Sequence, residues 1–257
     1  MKKCIFLILI FIIISTTLFS QSLIDSLENE LITAQGNERA AILIKLIQEY
    51  RNIDPYKAIK YGEEVLANIE DIDNEIDKAH FFNHLAWAYK NVNEFEKSRE
   101  YTERGMECAI AINSQGLRAQ AFNTLGSIFW AEGQYDKALE KFLAALKIQE
   151  PMNDSASIAS TLNNIGLIFF STGDTDNAIE YFSRALSIWD KLDKNHEAAI
   201  AKVNMANMYG LSGDYEKSIE YFLSSLKNSE EIGDERLSGI ILTNIAVSYT
   251  HLTLPTN

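Results

Sequence analysis

Five segments of this sequence line up without a gap: Phe82-Asn83-His84-Leu85-Ala86, Phe122-Asn123-Thr124-Leu125-Gly126, Leu162-Asn163-Asn164-Ile165-Gly166, Lys202-Val203-Asn204-Met205-Ala206 and Leu242-Thr243-Asn244-Ile245-Ala246. They begin at positions 82, 122, 162, 202 and 242, a step of 40 each time. A fixed period of that size predicts a solenoid of stacked supersecondary units, because one unit cannot bury its apolar face alone.

The columns of the repeat are helical. Ala86, Gly126, Gly166, Ala206 and Ala246 form a small-residue column, and three positions on stand Tyr89, Phe129, Phe169, Tyr209 and Tyr249. That spacing keeps both columns on one helical face. A second helix in each unit carries Ser98, Ala138, Ala178 and Ser218, then Thr102, Phe142, Phe182 and Phe222, then Gly105, Ala145, Ala185 and Ser225. Small residues opposite large rings are what two closely packed helices need. Gly133, Gly173 and Gly213 punctuate the hairpins, with Asn93 at the same place in the earlier unit. Glycine and asparagine are the residues that tolerate positive φ at a helix end. Asp174 and Asp214, one residue further on, are placed to cap the next helix. Three prolines and twelve glycines in 257 residues suit helices joined by short turns.

Gly126, Gly133, Tyr135, Ala138, Phe142 and Ala145 resemble the tetratricopeptide repeat family, whose pattern is Leu-Gly, an aromatic, a Gly-x-Tyr turn, then Ala, Phe and Ala. The resemblance implies an all-α, right-handed α-solenoid of stacked antiparallel helix hairpins. The usual family repeat runs to about 34 residues. The step here is 40. The extra six are expected in lengthened helix ends or in loops between units, such as Pro151-Met152-Asn153-Asp154.

The array is expected over residues 38–249, about five and a half hairpins, with an N-terminal capping helix in 23–37 built on Leu23, Ile24, Leu27, Leu31 and Ile32. Leu43, Leu46, Tyr50, Ala58 and Leu66 suggest the first unit, its turn Asn52-Ile53-Asp54-Pro55 one residue shorter. Residues 1–22 read as a secretory signal peptide: basic Met1-Lys2-Lys3, an 11-residue apolar run from Cys4 to Ile14, then small polar residues with cleavage after Ser20 or Ser22. An uncleaved anchor is the alternative, though the run is short for a bilayer. The protein is therefore expected on the periplasmic or extracellular side of a bacterial cell. Residues 250–257 break the register and read as a non-native tail after truncation, a native tail being the alternative.

Composition narrows the function classes. The net charge is −13, and loss of Lys2 and Lys3 with the leader leaves 21 basic against 36 acidic residues. No basic cluster is present to meet nucleic acid or an anionic membrane. Without the leader, Cys108 is the one cysteine and no internal disulfide can form; its place among apolar positions marks it as core.

No catalytic constellation stands out. His80 and His84 have metal-compatible i,i+4 spacing, but Phe81 rules out His-Glu-x-x-His and no third ligand has an obvious spacing. The pair reads as helix surface, a metal-dependent enzyme staying a remote rival. No metal, cofactor or catalytic residue is assigned.

The family resemblance places ligand peptides along the first helices of the hairpins. Carried onto this register, one groove column reads His84, Thr124, Asn164, Asn204 and Asn244, with Asn83, Asn123, Asn163, Trp87, Asn207, Lys90, Trp130 and Phe170 as neighbours. Asparagine is a poor helix former, so its recurrence asks for a reason. Its amide can donate to and accept from an extended peptide backbone. It can equally bond the next helix within the stack. Trp87 and Trp130 either meet the ligand or pack between helices. The expectation is a protein-interaction module holding an extended peptide or partner protein. The leader, Asn-x-Asp-Pro and the long repeats together are similar to the exported sensor region of bacterial signalling proteins; a self-contained periplasmic or secreted scaffold is the alternative.

Overall fold

The computed structural model describes residues 22–253. The expected signal peptide, save Ser22, and residues 254–257 of the expected tail therefore lie outside the described residues. The described residues are helical, with no strand among them. They form two compact units, 22–149 and 150–253.

The first unit opens with α1 at 22–31. It continues with α2 (Gly36–Ile53), α3 (Pro55–Ala67), a 3-10 turn (Ile69–Asp71), α4 (Glu75–Asn91), α5 (Phe95–Ala111), α6 (Gln115–Ala131) and α7 (Tyr135–Met152), which runs on past Gln149. Ile24 and Leu27 of α1 are buried with Leu43, Leu46, Ile47, Phe81 and Leu85 in one core. Glu28 fastens the outer side of α1. It lies 2.5 Å from Lys57 Nζ and accepts from the Tyr50 and Tyr61 hydroxyls at 2.9 and 3.0 Å. The Lys57 hydrogen bond, chief among these, holds the Glu28 carboxyl below its ordinary pKa. Between α2 and α3 the joint is a single residue: Asp54 accepts from Lys57 N, and Pro55 opens the helix where its missing N–H costs nothing.

The second unit holds α8 (Ser155–Thr172), α9 (Thr175–Lys191), α10 (Asn195–Leu211), α11 (Tyr215–Glu231) and α12 (Glu235–Thr253). Its cores are Ala178, Phe182, Met205 and Met208, and then Ala206, Phe222, Ile241 and Ile245. Each buried phenylalanine contributes about 1.5–3 kcal/mol of transfer free energy. α12 carries the helix through residues 250–253, the first part of the expected tail.

From α4 onward every helix begins half a period after the one before, at 75, 95, 115, 135, 155, 175, 195, 215 and 235. The joints within hairpins and between them are thus alike. Each has one left-handed residue at the same place: Asn93, Asn113, Gly133, Asn153, Gly173, Asp193, Gly213 and Gly233, with φ from 53° to 85°. After several of these the next amide turns back to a carbonyl five positions earlier: Glu94 to Tyr89, Gln134 to Phe129, Asp174 to Phe169 and Asp214 to Tyr209, at 2.8 to 3.0 Å. That is the Schellman closure of a helix C-terminus. The next helix is capped at once by Asp154, Asp174, Asp214 or Ser114, each accepting from the amide three positions on. The additional length of the repeat therefore lies in the helices themselves, 17 residues in α5 and 18 in α8, and not in a longer loop between units. Pro151 sits inside α7, against its expected place in a loop.

The small-residue column does what the sequence predicts. A Cβ on Gly126 would come 2.7 Å from the Phe142 ring, and one on Gly166 would come 2.6 Å from Phe182. The aromatic column stacks on the second helix of its own hairpin: Tyr89 on Tyr101, Phe169 on Tyr181 and Tyr209 on Tyr221, each with centroids 5.4 Å apart. Lys97, Lys137 and Lys217 stand over Tyr89, Phe129 and Tyr209 at 5.1 to 5.5 Å. Such cation–ring contacts stabilise by about 0.5–1 kcal/mol at exposed sites.

Candidate peptide-binding face

The expected groove residues come from α4 and α6 in the first unit, and from α8, α10 and α12 in the second. The two sets have different surroundings.

In the first unit His84 is buried, 6% exposed, and its Nδ1 accepts from Arg51 Nη1 at 2.6 Å. It belongs to the α2–α4 contact, which corrects its expected places both in a groove and in a surface histidine pair. Burial, then the Arg51 charge and His80, push its pKa down to about 3, so the ring is neutral. A neutral ring with an accepting Nδ1 is what the Arg51 contact requires. Thr124, next in the column, is also buried and donates to Asn83 Oδ1 at 2.7 Å. Trp87 is half-buried; its indole N–H donates to Asn52 Oδ1 at 2.8 Å, with Lys90 Nζ 4.0 Å from the ring centroid and Arg51 5.9 Å away. Trp87 thus packs between α2 and α4. Asn123 is half-buried, and Trp130 is 40% exposed.

In the second unit Asn163, Asn164, Asn204, Asn207 and Asn244 are all half-buried. Asn204 Nδ2 donates to Asn163 Oδ1 at 3.3 Å. This repeats the Thr124–Asn83 bond, since both pairs are 41 residues apart. Part of the column therefore bridges successive first helices, the structural alternative raised by the sequence. Val203 stands where the next acceptor would be, so Asn244 has no equivalent bridge. The amides of Asn164, Asn207 and Asn244 have no hydrogen-bond partner among the described residues.

These three amides line two clefts. Asn164 lines one of about 180 Å³ with Asn163, Ser160, Trp189, Glu197 and Ile200. Asn207 and Asn244 line one of about 460 Å³ with Phe170, Tyr215, Phe222, Val247 and the Ser218–Ser248 hydroxyl pair. Sequence reasoning missed the larger cleft. Its signal was the breakdown of two columns at Gly210 and Ser248.

Among the described residues no three His, Cys, Asp or Glu side chains gather to hold a metal. No helix there is long and apolar enough to cross a membrane. Cys108 is buried and free, and its thiol is pushed up to about 11 by burial and by its bond to Glu75.

A family model for the tetratricopeptide repeat matches residues 117–191 and again 157–231. The second match is the first moved on by one period of the columns, from 117 to 157. Residues 117–231 carry tetratricopeptide repeats. Solved structures of similar fold include a Rap protein complexed with competence and sporulation factor, at TM-score 0.74 and 19% identity over 89% of this chain and 67% of that one. Aspartyl phosphate phosphatase F from Bacillus subtilis follows at TM-score 0.69 and 20% identity, over 85% of this chain and 62% of that one. A kinesin light chain repeat protein from Podosopora anserina has TM-score 0.59 and 17% identity, over 77% of this chain and 98% of that one. At such identities the likeness establishes the tetratricopeptide fold alone. No curated protein matches the sequence significantly.

Proposed function

We propose that this repeat chain is a protein-interaction module that holds an extended peptide along the first helices of residues 150–253. The observation that carries the reading is the set of unpaired, half-buried amides of Asn164, Asn207 and Asn244 on α8, α10 and α12. An extended backbone offers alternating N–H and C=O groups, and an asparagine amide can pair with either. The three amides face the clefts, where a peptide backbone can take the place of water as their partner. The Rap protein of similar fold is itself complexed with competence and sporulation factor.

The experiment is selection of extended peptides from a displayed library on the full chain, followed by titration with Asn164→Ala/Asn207→Ala/Asn244→Ala. Asn204 is left in place because it bridges to Asn163. Binding weakened at least tenfold in a folded triple variant supports the face; equal affinity rejects it.

The N-terminal segment supports a second element of the proposal, export to the periplasmic or extracellular side as the sensory part of a signalling protein. A self-contained exported scaffold is the alternative. A reporter enzyme active only outside the cytoplasm, fused after residue 22, tests the export: an inactive fusion would reject it.

A further inference from the structure

The larger cleft lies where two columns of the repeat change from large residues to small ones. One column reads Lys90, Trp130, Phe170 and then Gly210. The other reads Ala88, Ile128, Ile168, Met208 and then Ser248. Gly210 and Ser248 both line the cleft, and so does Phe170. A Cβ built on Gly210 would stand 3.3 Å from Ser218 Oγ, a close contact with a residue of the cleft floor, so a side chain here would take up room at the cleft wall. Gly210 stands where the two preceding units carry a ring, Trp130 and Phe170.

We infer that this cleft takes an aromatic side chain of the bound peptide and so sets the ligand's sequence preference. Phe170 and Tyr215, both half-buried, offer ring surface, which favours offset or edge-on aromatic contact over a flexible aliphatic chain. The floor is polar but already paired: Ser218 and Ser248 hydroxyls lie 3.3 Å apart and both residues are buried. Asn207 and Asn244 border the same space with amides free for the peptide backbone on either side of the inserted ring. Binding hot spots are commonly large side chains desolvated in a pocket, with the surrounding contacts excluding water. The inference rests on the peptide-binding reading, but its test does not.

The probes are N-acetyl-phenylalaninamide, N-acetyl-leucinamide and N-acetyl-alaninamide, titrated into the isotopically labelled full chain. Amide resonances of Gly210, Asn244 and Ser248 report the cleft. The phenylalanine probe is expected to shift them saturably, at least about tenfold more tightly than the alanine probe, as burial of one ring implies. Gly210→Phe refills the column and Ser248→Met copies Met208; each should abolish the shifts, read at Asn244 in both variants, in a chain that still unfolds cooperatively. An equal response to leucine or alanine probes, no shift at Gly210, or shifts that persist in either folded variant would overturn the assignment. If neither variant folds, the comparison of probes on the unsubstituted chain decides it. Because the probes lack an extended backbone, they report the cleft even if no library peptide binds.

Discussion

Gly126 lies so close beneath Phe142 that a methyl group on it would come 2.7 Å from the ring. Gly166 stands in the same relation to Phe182, which is fully buried and has no room to withdraw. Alanine is the better helix former by about 0.5–1 kcal/mol, whereas overpacking a core costs about 1–3 kcal/mol. The clash should prevail. Gly166→Ala is expected to lose about 1 kcal/mol in a denaturant titration, the low end of that range. The low end applies because Ala206 already packs with Phe222 in the α10–α11 hairpin. Phe182→Leu in the same chain should recover part of the loss. A stabilised Gly166→Ala would show that helix propensity governs this contact.

His84 gives the protein a pH dependence of known sign. Its pKa in the folded chain is about 3, against 6.5 for a free ring. Between those values the unfolded chain binds the extra proton, so stability falls as pH drops below 6.5. The largest slope one such group can give is about 1.4 kcal/mol per pH unit. His84→Asn, the residue of α8 in the same column, should flatten the curve of unfolding free energy against pH between about 6.5 and 3. Parallel curves for the two proteins would show that His84 takes up its proton without unfolding.

The turns offer a paired test. Asp193 holds φ at 53° and Gly173 at 78°. Left-handed backbone costs an ordinary L-residue about 1 kcal/mol relative to glycine, and aspartate somewhat less. Asp193→Gly should raise the unfolding free energy by a few tenths of a kcal/mol, and Gly173→Ala should lower it by about 1 kcal/mol. Opposite signs in thermal melts are the expected result.

Cys108 should be nearly inert in the folded protein. With its pKa near 11, only about one thiol in a thousand is ionised at pH 8. Iodoacetamide labelling, followed by mass spectrometry of the peptide bearing Cys108, is expected to be slow in buffer and fast in guanidinium. Rapid labelling in buffer would mean that α4 and α5 separate readily around Glu75 and Cys108.

The fold was legible because its determinants repeat. Positions such as Gly126, Phe142 and Gly133 identify themselves by returning, as the same or a similar residue, in unit after unit. The half-period spacing of the turns was less visible, because Asn113, Asn153 and Asp193 do the work of glycine with different side chains. Burial of His84 was not readable at all. It depends on Arg51, 33 residues away on a helix outside the regular register. The asparagine column was seen, but only the packed helices show that Asn204 bridges to Asn163; Asn244, with Val203 at the corresponding place, has no such acceptor. The cleft at Gly210 was written in the sequence as an exception, and a search for recurrence passes over exceptions.

The uniform spacing of the turns bears on how such a chain can change its length. If every joint is the same, a joint cannot tell the helix after it whether to begin a hairpin or complete one; only the faces of the helices carry that distinction. Removal of one helix with its turn would leave every other turn intact and yet set every later helix against the wrong partner, ring against ring and small residue against small. Removal of two would restore all pairings at once. Arrays of this kind should therefore grow and shrink in whole hairpins, although their backbone alone would permit half of one.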